Sequence, residues 1–464
     1  MQDGKTFSVF TALALLVGCG SLSGKDSSDA VDPVERWGPP TDTTPSFYGS
    51  VPKNILMLSV DTFRKDSLSR YGGPVVMPFL DELAATGFTA DDHLTCSNWT
   101  FAGTTCTLLG RYNIDAGFTP HLPLDGRKRV PDATPFLATW LGEAGYYSVL
   151  ITGNSWLSPE WNNTQGYDYV HDPDYDHAPW MAEDAFDRLE RAQITGQTSA
   201  KAPWFLHLHL MEPHAAYRPP EEYLAGLDTL DPLDVKFDDR DEHYDANAEY
   251  YEWSEDEQAN YLEHLWVRYR GELSYTDDLI QNILAQAGSR GLLKDTMVVI
   301  WNDHGEQMFE HGLQTHAHTL HGEENDGLLV FWARNIVPGS WEGPTTSIDL
   351  APTLLALQGV EQPAEVTGVP LGSADPERAR FGWSVGRGSP ESSVTKDGWK
   401  LIFEWSGATW LYDRNVDPVE AENLYAPDHP RTQELWELLR PQIEKASPLF
   451  RHGPIAWPDE STSD

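Results

Sequence analysis

Two short stretches carry residue types that suit metal chemistry. In "NDHGEQMFEHG" (302–312), Asp303 and His304 directly follow an apolar run, and Asp61 closes another, "KNILMLSVDTF" (53–63). A hard carboxylate oxygen beside an imidazole, with a second carboxylate delivered from another strand end, suits one divalent metal ion such as Mg, Mn, Ca or Zn. A strand-end aspartate taken singly is usually a helix cap or turn residue. The combination is what points to a metal.

Such residues need a scaffold that brings them together. "KNILMLSVDTF" reads as a buried parallel strand, and "MPFLDELAATG" follows with helical spacing and a glycine stop at Gly87. The alternation repeats in "TPFLATWLGEAG" then "YYSVLIT", in "WFLHLHL", and in "YTDDLIQNILAQAGSRG" then "TMVVIWNDHGE". It predicts an α/β fold, a doubly wound, mostly parallel sheet whose ligands sit beyond the carboxyl ends of the strands. Asp61, His209 and Asp303 each fall at or near such an end and are expected to converge. From about Glu377 onward the pattern shifts to short strands, "GWKLIFEW" and "TWLYDR", and a helix, "RTQELWELLRPQIEK". The expected organisation is a signal peptide over 1–18, a tether over 19–50, a catalytic domain over 51–376 and a small C-terminal α+β subdomain over 377–464. An acid-rich stretch over 226–258 lacks the ligand alternation and central glycine of a calcium loop. It reads as a solvated insertion near the rim of the site.

Composition bounds the partners. With 464 residues, 40% of them hydrophobic, the chain can bury a large core, and its formal net charge of −40 repels nucleic acid and anionic membrane surfaces. An anionic substrate would need a locally positive pocket, which a bound cation supplies. The N-terminus has one lysine and an apolar run over 7–17, too short to span a bilayer, as in a cleaved signal. "LVGC" resembles a bacterial lipobox, which implies lipidation at Cys19, an extracytoplasmic place in the cell envelope, and membrane contact only through that anchor; plain secretion is the alternative. Cys96 and Cys106 form either a disulfide or two separate buried thiols.

Seven segments occur in family order from Asn54 to Leu424: "NILMLSVDTFRKDSLSRYGG", "PFLDELAATGFTADDHLTCSNWTFAGTTCTLLGRY", "LSPEWNNTQGYD", "HLMEPHAAYRPPEEY", "YRGELSYTDDLIQNILAQAGSRGLLKDTMVVIWNDHGEQMFEHGL", "SIDLAPTLLALQGV" and "DGWKLI…LYDRNVDPVEAENL". On these the chain resembles the sulfatases, a family of the alkaline phosphatase superfamily. The resemblance implies one α/β domain, a C-terminal subdomain with a small antiparallel sheet, and metal-assisted attack on the sulfate or phosphate ester of a small molecule or glycan. Sulfatases proper carry CxPSR or SxPSR, whose first residue is oxidised to formylglycine. Set against that pattern, "TFAGTTCTLLGR" puts Thr100 at the nucleophile position, Ala102 for the proline, Gly103 for the serine and Thr104 for the arginine, so formylglycine is not expected. "TFAG" is similar to the TFPN-type segment of nucleotide pyrophosphatase/phosphodiesterases, in which an unmodified threonine attacks.

What the resemblance carries over is uneven. It implies a metal set of Asp61, Thr100, Asp303 and His304, with Thr62 where the family has a further acid. Thr100 is then the attacking alcohol, or else merely a helix cap. His214 in "MEPHAAY" and His316 in "THAHTL" fall where the family binds the anion or protonates the leaving group, with His209 and His318 as weaker substrate contacts. "GNSWL" gives Asn154 and Trp156 where many sulfatases have the lysine and histidine of GKWHLG. Arg64 either contacts substrate in their stead or salt-bridges Asp66. Two rivals are a catalytically inactive surface lipoprotein that binds anionic glycans, and a phosphoryl transferase using Thr100.

Overall fold

The computed structural model describes residues 44–74, 76–118, 130–171, 180–199, 201–233, 249–384, 389–450 and 455–458. The expected signal peptide, Cys19, most of the tether and the middle of the acid-rich stretch lie outside them.

The principal elements run β1 (Asn54–Val60), α1 (Pro78–Thr86), β2 (Phe88–Ala90), α2 (Thr100–Leu109), α3 (Leu137–Glu143), β3 (Tyr147–Thr152), β4 (Tyr169–His171), α4 (Met181–Thr195), β5 (Trp204–Leu210), α5 (Glu255–Ser289) and β6 (Thr296–Asn302). A hairpin of β7 (Gln307–Met308) and β8 (Gln314–Thr315) follows, then β9 (Leu329–Trp332), β10 (Gly339–Trp341) and α6 (Leu350–Leu357). The large sheet has the order β10-β2-β9-β6-β1-β5-β3-β4. It is parallel except where β9 runs against β6 and β2. Central β1 shows why its sequence is nearly all apolar: Ile55 and Met57 enter the core on one face of the sheet, and Leu56, Leu58 and Val60 enter the core on the other. Both faces are covered, as a doubly wound sheet requires.

Helix α5 begins about twenty residues before the helical pattern visible from Tyr275. Ser254 accepts from the Glu257 N–H while the Glu257 carboxylate accepts from the Ser254 N–H, a reciprocal cap that takes 255–258 out of the acid-rich insertion. Among the described residues no helix is long and apolar enough to cross a membrane.

The C-terminal sheet is antiparallel, β11 (Arg380–Ser384), β12 (Glu391–Lys396), β13 (Trp399–Glu404) and β14 (Thr409–Asp413) in sequence order. Helix α7 (Pro430–Ala446) buries Leu435, Leu439 and Ile443 in the same core as Val394, Leu401 and Phe403. A fully buried ion pair then binds this sheet to the large domain. Lys400 Nζ lies 3.0 Å from Glu420 Oε1, Glu420 Oε2 accepts from the Gly322 N–H at 3.0 Å, and Arg414 pairs with Asp326. Removing one partner of a buried pair strands the other charge. Lys400→Met is therefore expected to destabilise the protein by about 3 kcal/mol, the low end of the usual range because Arg414 still faces Glu420. An unchanged melting temperature would contradict this.

Candidate active site

Strand register sets the first two carboxylates. Val60 faces Leu210 on one side and Asn302 on the other in parallel ladders. The next residues of the two strands β1 and β6, Asp61 and Asp303, therefore emerge side by side, and both are fully buried. One position earlier, Ser59 faces His209. Its hydroxyl bonds His209 Nδ1 at 2.8 Å and His207 Nε2 at 2.8 Å, and Tyr167 holds His207 Nδ1 at 2.9 Å. This buried relay turns His209 Nε2 toward Asp61 Oδ2, 3.4 Å away. Asp61, His209 and Asp303 each offer a ligand atom within 4.8 Å of the others.

His304 completes the cluster. Its Nδ1 donates to the Gly305 carbonyl at 2.9 Å, a bond that assigns the tautomer and leaves a lone pair on Nε2. That nitrogen sits 3.5 Å from Asp61 Oδ1 and 3.6 Å from Asp303 Oδ2. Neither oxygen has a hydrogen-bond partner among the described residues. Three electron-rich atoms facing one another out of water repel unless a cation stands among them, so the donor set fits a divalent metal. The titration tendencies agree. Burial acts to raise the Asp61 carboxyl, but His214 and His209, the latter through both its charge and its hydrogen bond, hold it well below the usual range. Burial and then the Asp61 charge push Asp303 well above it. Burial, with His316 beside it, keeps His304 neutral. Two buried carboxylates this close cannot both ionise unaided.

Thr100 opens α2 and points into the cluster. Its Oγ1 lies 3.4 Å from Asp61 Oδ2 and 3.4 Å from His304 Nε2. Asn154 Nδ2 donates to Asp61 Oδ2 at 2.6 Å and reaches Thr100 Oγ1 at 3.3 Å. Helix α2 can come this close because of Gly103: a Cβ there would stand 2.4 Å from the Asp303 carbonyl oxygen. Thr104 Oγ1 donates to the Thr100 carbonyl at 2.6 Å, and a Cys96–Cys106 disulfide, with Cα atoms 6.7 Å apart, braces the segment. The disulfide is thus the alternative that holds for this cysteine pair. Beyond the carboxylates, the His304 and His316 rings lie 4.5 Å apart and the His316 and His214 rings 5.0 Å apart. Glu306 Oε1 accepts from His316 Nδ1 at 3.1 Å.

Asp61, Thr100, Asn154, Asp303, His304, His316 and His214 are thus brought together, and His209, expected to converge with the two aspartates but assigned a substrate contact, stands in the metal-capable group. Arg64 is a correction. Its guanidinium is held by Asp66 through two hydrogen bonds, by Glu310, and by the Glu306 carbonyl, so the salt-bridge alternative is the one the fold takes. It lines a different cavity of about 350 Å³, together with Lys65, Asp326 and Arg414. His318 is directed at Thr315 Oγ1, 3.2 Å away. Thr62, where the family has a further acid, keeps a left-handed backbone (φ 53°), unusual for a β-branched residue, and its buried hydroxyl has no hydrogen-bond partner among the described residues. Trp156 packs on Trp99 and Trp161, with ring centroids 5.2 and 4.8 Å away. Sequence reasoning missed Ser59, His207, Tyr167 and Glu306. The alternation in "HLHL" puts His207 and His209 on one sheet face and was a usable signal for the relay.

The sulfatase family model matches residues 53–360, well over half of the chain. The chain belongs to the sulfatase family. It is a sulfatase-family ester hydrolase. The chain is 25% identical to the uncharacterized sulfatase YidJ of Escherichia coli (strain K12) over 439 residues, covering 80% of this chain and 82% of that one. Among solved structures it is similar to BT4656 in complex with its substrate D-glucosamine-2-N,6-O-disulfate, with a TM-score of 0.66 at 18% identity, covering 86% of this chain and 99% of that one. It is also similar to the phosphonate monoester hydrolase from Silicibacter pomeroyi, with a TM-score of 0.61 at 19% identity, covering 86% and 96%.

Proposed function

We propose that this sulfatase-family protein hydrolyses singly charged tetrahedral esters, sulfate monoesters or phosphate diesters and phosphonate monoesters, with unmodified Thr100 as the nucleophile. The observation that carries this is the Thr100 hydroxyl set among Asp61, His304 and Asn154 at 3.3–3.4 Å. Asp61, Asp303, His304 and His209 would hold a divalent cation, which when bound would supply positive charge for the anionic ester and lower the pKa of a nearby hydroxyl. Asn154 orients Asp61 and the hydroxyl, and the Asp61 hydrogen bond aims the Thr100 proton away from the incoming ester. Attack forms the bond from Thr100 Oγ1 to phosphorus or sulfur and breaks the bond to the leaving oxygen. The Thr100 proton passes to Asp61 Oδ2, its hydrogen-bond acceptor, and the leaving oxygen takes a proton from His316 or His214, the former steered by Glu306. Water then cleaves the threonine ester and restores the hydroxyl.

Charge decides among substrates. Asn154, Trp156 and Thr104 are neutral at the positions where the resemblance sets lysine, histidine and arginine, and Arg64 is occupied by carboxylates. A doubly charged phosphate monoester would bring a charge this site does not match. That the phosphonate monoester hydrolase shares the fold is in keeping with this choice. The test is a panel of nitrophenyl sulfate, bis-nitrophenyl phosphate, a phenylphosphonate monoester and nitrophenyl phosphate, run after metal analysis of the purified protein. The best singly charged ester is expected to exceed nitrophenyl phosphate in kcat/KM by on the order of 100-fold. Metal bound with no turnover of any ester would put the inactive glycan binder in its place.

A further inference from the structure

One large aromatic side chain stands exposed at the end of the hairpin that leads out of the site. Glu306 and His316 flank the base of this hairpin, where Gln307 pairs with Thr315. Its tip closes with the Phe309 N–H donating to the Leu313 carbonyl at 2.7 Å. Tyr251 rests on that tip: its hydroxyl lies 3.2 Å from where a Cβ on Gly312 would be, and its ring is edge-on to Phe309, 6.2 Å away. Its own support is rigid. Tyr250 stacks on Phe309 at 3.8 Å with 14° between planes, and meets Tyr251 at 5.2 Å and 89°. Phe309 is locked in a left-handed backbone conformation, φ 68°. Tyr250 is 7% exposed and Tyr261 fully buried, yet Tyr251 is 61% exposed, with Leu313 at 43% beside it on the tip. The ring is thus supported at the hairpin tip and mostly open to water.

We propose that Tyr251 is a stacking platform for a saccharide ring that adjoins the ester being cleaved, and so selects sparsely charged oligosaccharide esters. The inference rests on the ester-hydrolase reading of the same site. Two to three residues of hairpin separate the His316 end from the tip, about 7–10 Å, the reach of a neighbouring ring rather than of the ester itself. The occupant must be largely uncharged. Glu249, Glu252 and Glu255 surround the platform in the sequence, and the whole chain carries −40, so a densely sulfated chain or a nucleic acid would be repelled. The C–H face of a pyranose packs on an aromatic ring without requiring charge, and the phenol edge stays in water.

The test compares wild type, Tyr251→Ala and Tyr251→Phe on a glucosamine disaccharide carrying one 6-O-sulfate and on nitrophenyl sulfate. The ratio of kcat/KM for disaccharide over nitrophenyl ester is expected to fall about tenfold in Tyr251→Ala, through KM, and to stay near wild type in Tyr251→Phe, since the ring face and not the hydroxyl makes the contact. An equal loss on both substrates, or an unchanged ratio, overturns the platform. A second arm titrates the disaccharide into Thr100→Ala protein by calorimetry, with and without Tyr251→Ala. Weaker binding in the double variant supports the platform even if wild type turns over neither ester, an outcome that would sink the hydrolase reading alone; equal affinities overturn the platform.

Discussion

Thr100→Ala is expected to lower kcat on the best ester substrate by a factor on the order of 10³ or more with little change in KM. The hydroxyl it removes is the atom proposed to form the covalent bond, while Asp61, His209, Asp303 and His304 would stay in place to hold the metal. Thr100 does not cap α2 through its side chain: the helix is preceded by Trp99, and no side-chain cap hydrogen bond is present there. The variant should therefore melt close to wild type, which separates lost chemistry from lost structure. Thr100→Ser keeps an attacking oxygen and should retain measurable turnover. If Thr100→Ala keeps more than a tenth of the wild-type rate, the hydroxyl does not attack.

The second large effect concerns Asp303→Asn. Metal content is expected to drop from about one ion per chain to a small fraction, and turnover to fall with it by about 100-fold or more. Stability supplies a readout independent of activity. In chelator, wild type buries two carboxylates side by side, and replacing one by a neutral amide should raise the melting temperature. With a divalent cation added, wild type should gain stability that the variant does not. The pH sign follows from the raised Asp303 carboxyl, whose cause is burial and then Asp61. Its contribution to chelated protein is fully present below the unfolded carboxyl value near 4 and is lost as pH rises through the higher folded value. Chelated wild type should thus lose stability on raising the pH from about 4, while Asp303→Asn shows a flatter profile. A chelated variant less stable than chelated wild type would refute the mutual repulsion.

Much of this was legible in the chain, for reasons that differ by element. The β1 and β6 runs are apolar because both sheet faces are covered, and a run that ends abruptly in aspartate marks a strand end. Asp61, Asp303 and His304 could therefore be read from local pattern alone. The role proposed for Thr100 could not: nothing in a threonine's neighbours says it will face a carboxylate about forty residues upstream, and only the resemblance to other sequences suggested it. His209 was undervalued because its partner, Ser59, sits on a different strand, and register between parallel strands is invisible until they pair. Arg64 went the other way, since its two carboxylate partners come from Asp66 nearby and Glu310 far along the chain. The start of α5 was hidden in an acid-rich stretch whose composition suggested solvation, although Ser254 and Glu257 spelled out a reciprocal cap.

The contact beneath Gly103 bears on any attempt to convert this enzyme into a formylglycine-type sulfatase. Installing the modified cysteine means also installing the serine that accompanies it, and at this position that serine's first carbon would land on the Asp303 peptide oxygen. The graft is thereby blocked by main chain, not by rotamers. An engineer would have to re-seat the turn that carries Asp303 at the same time.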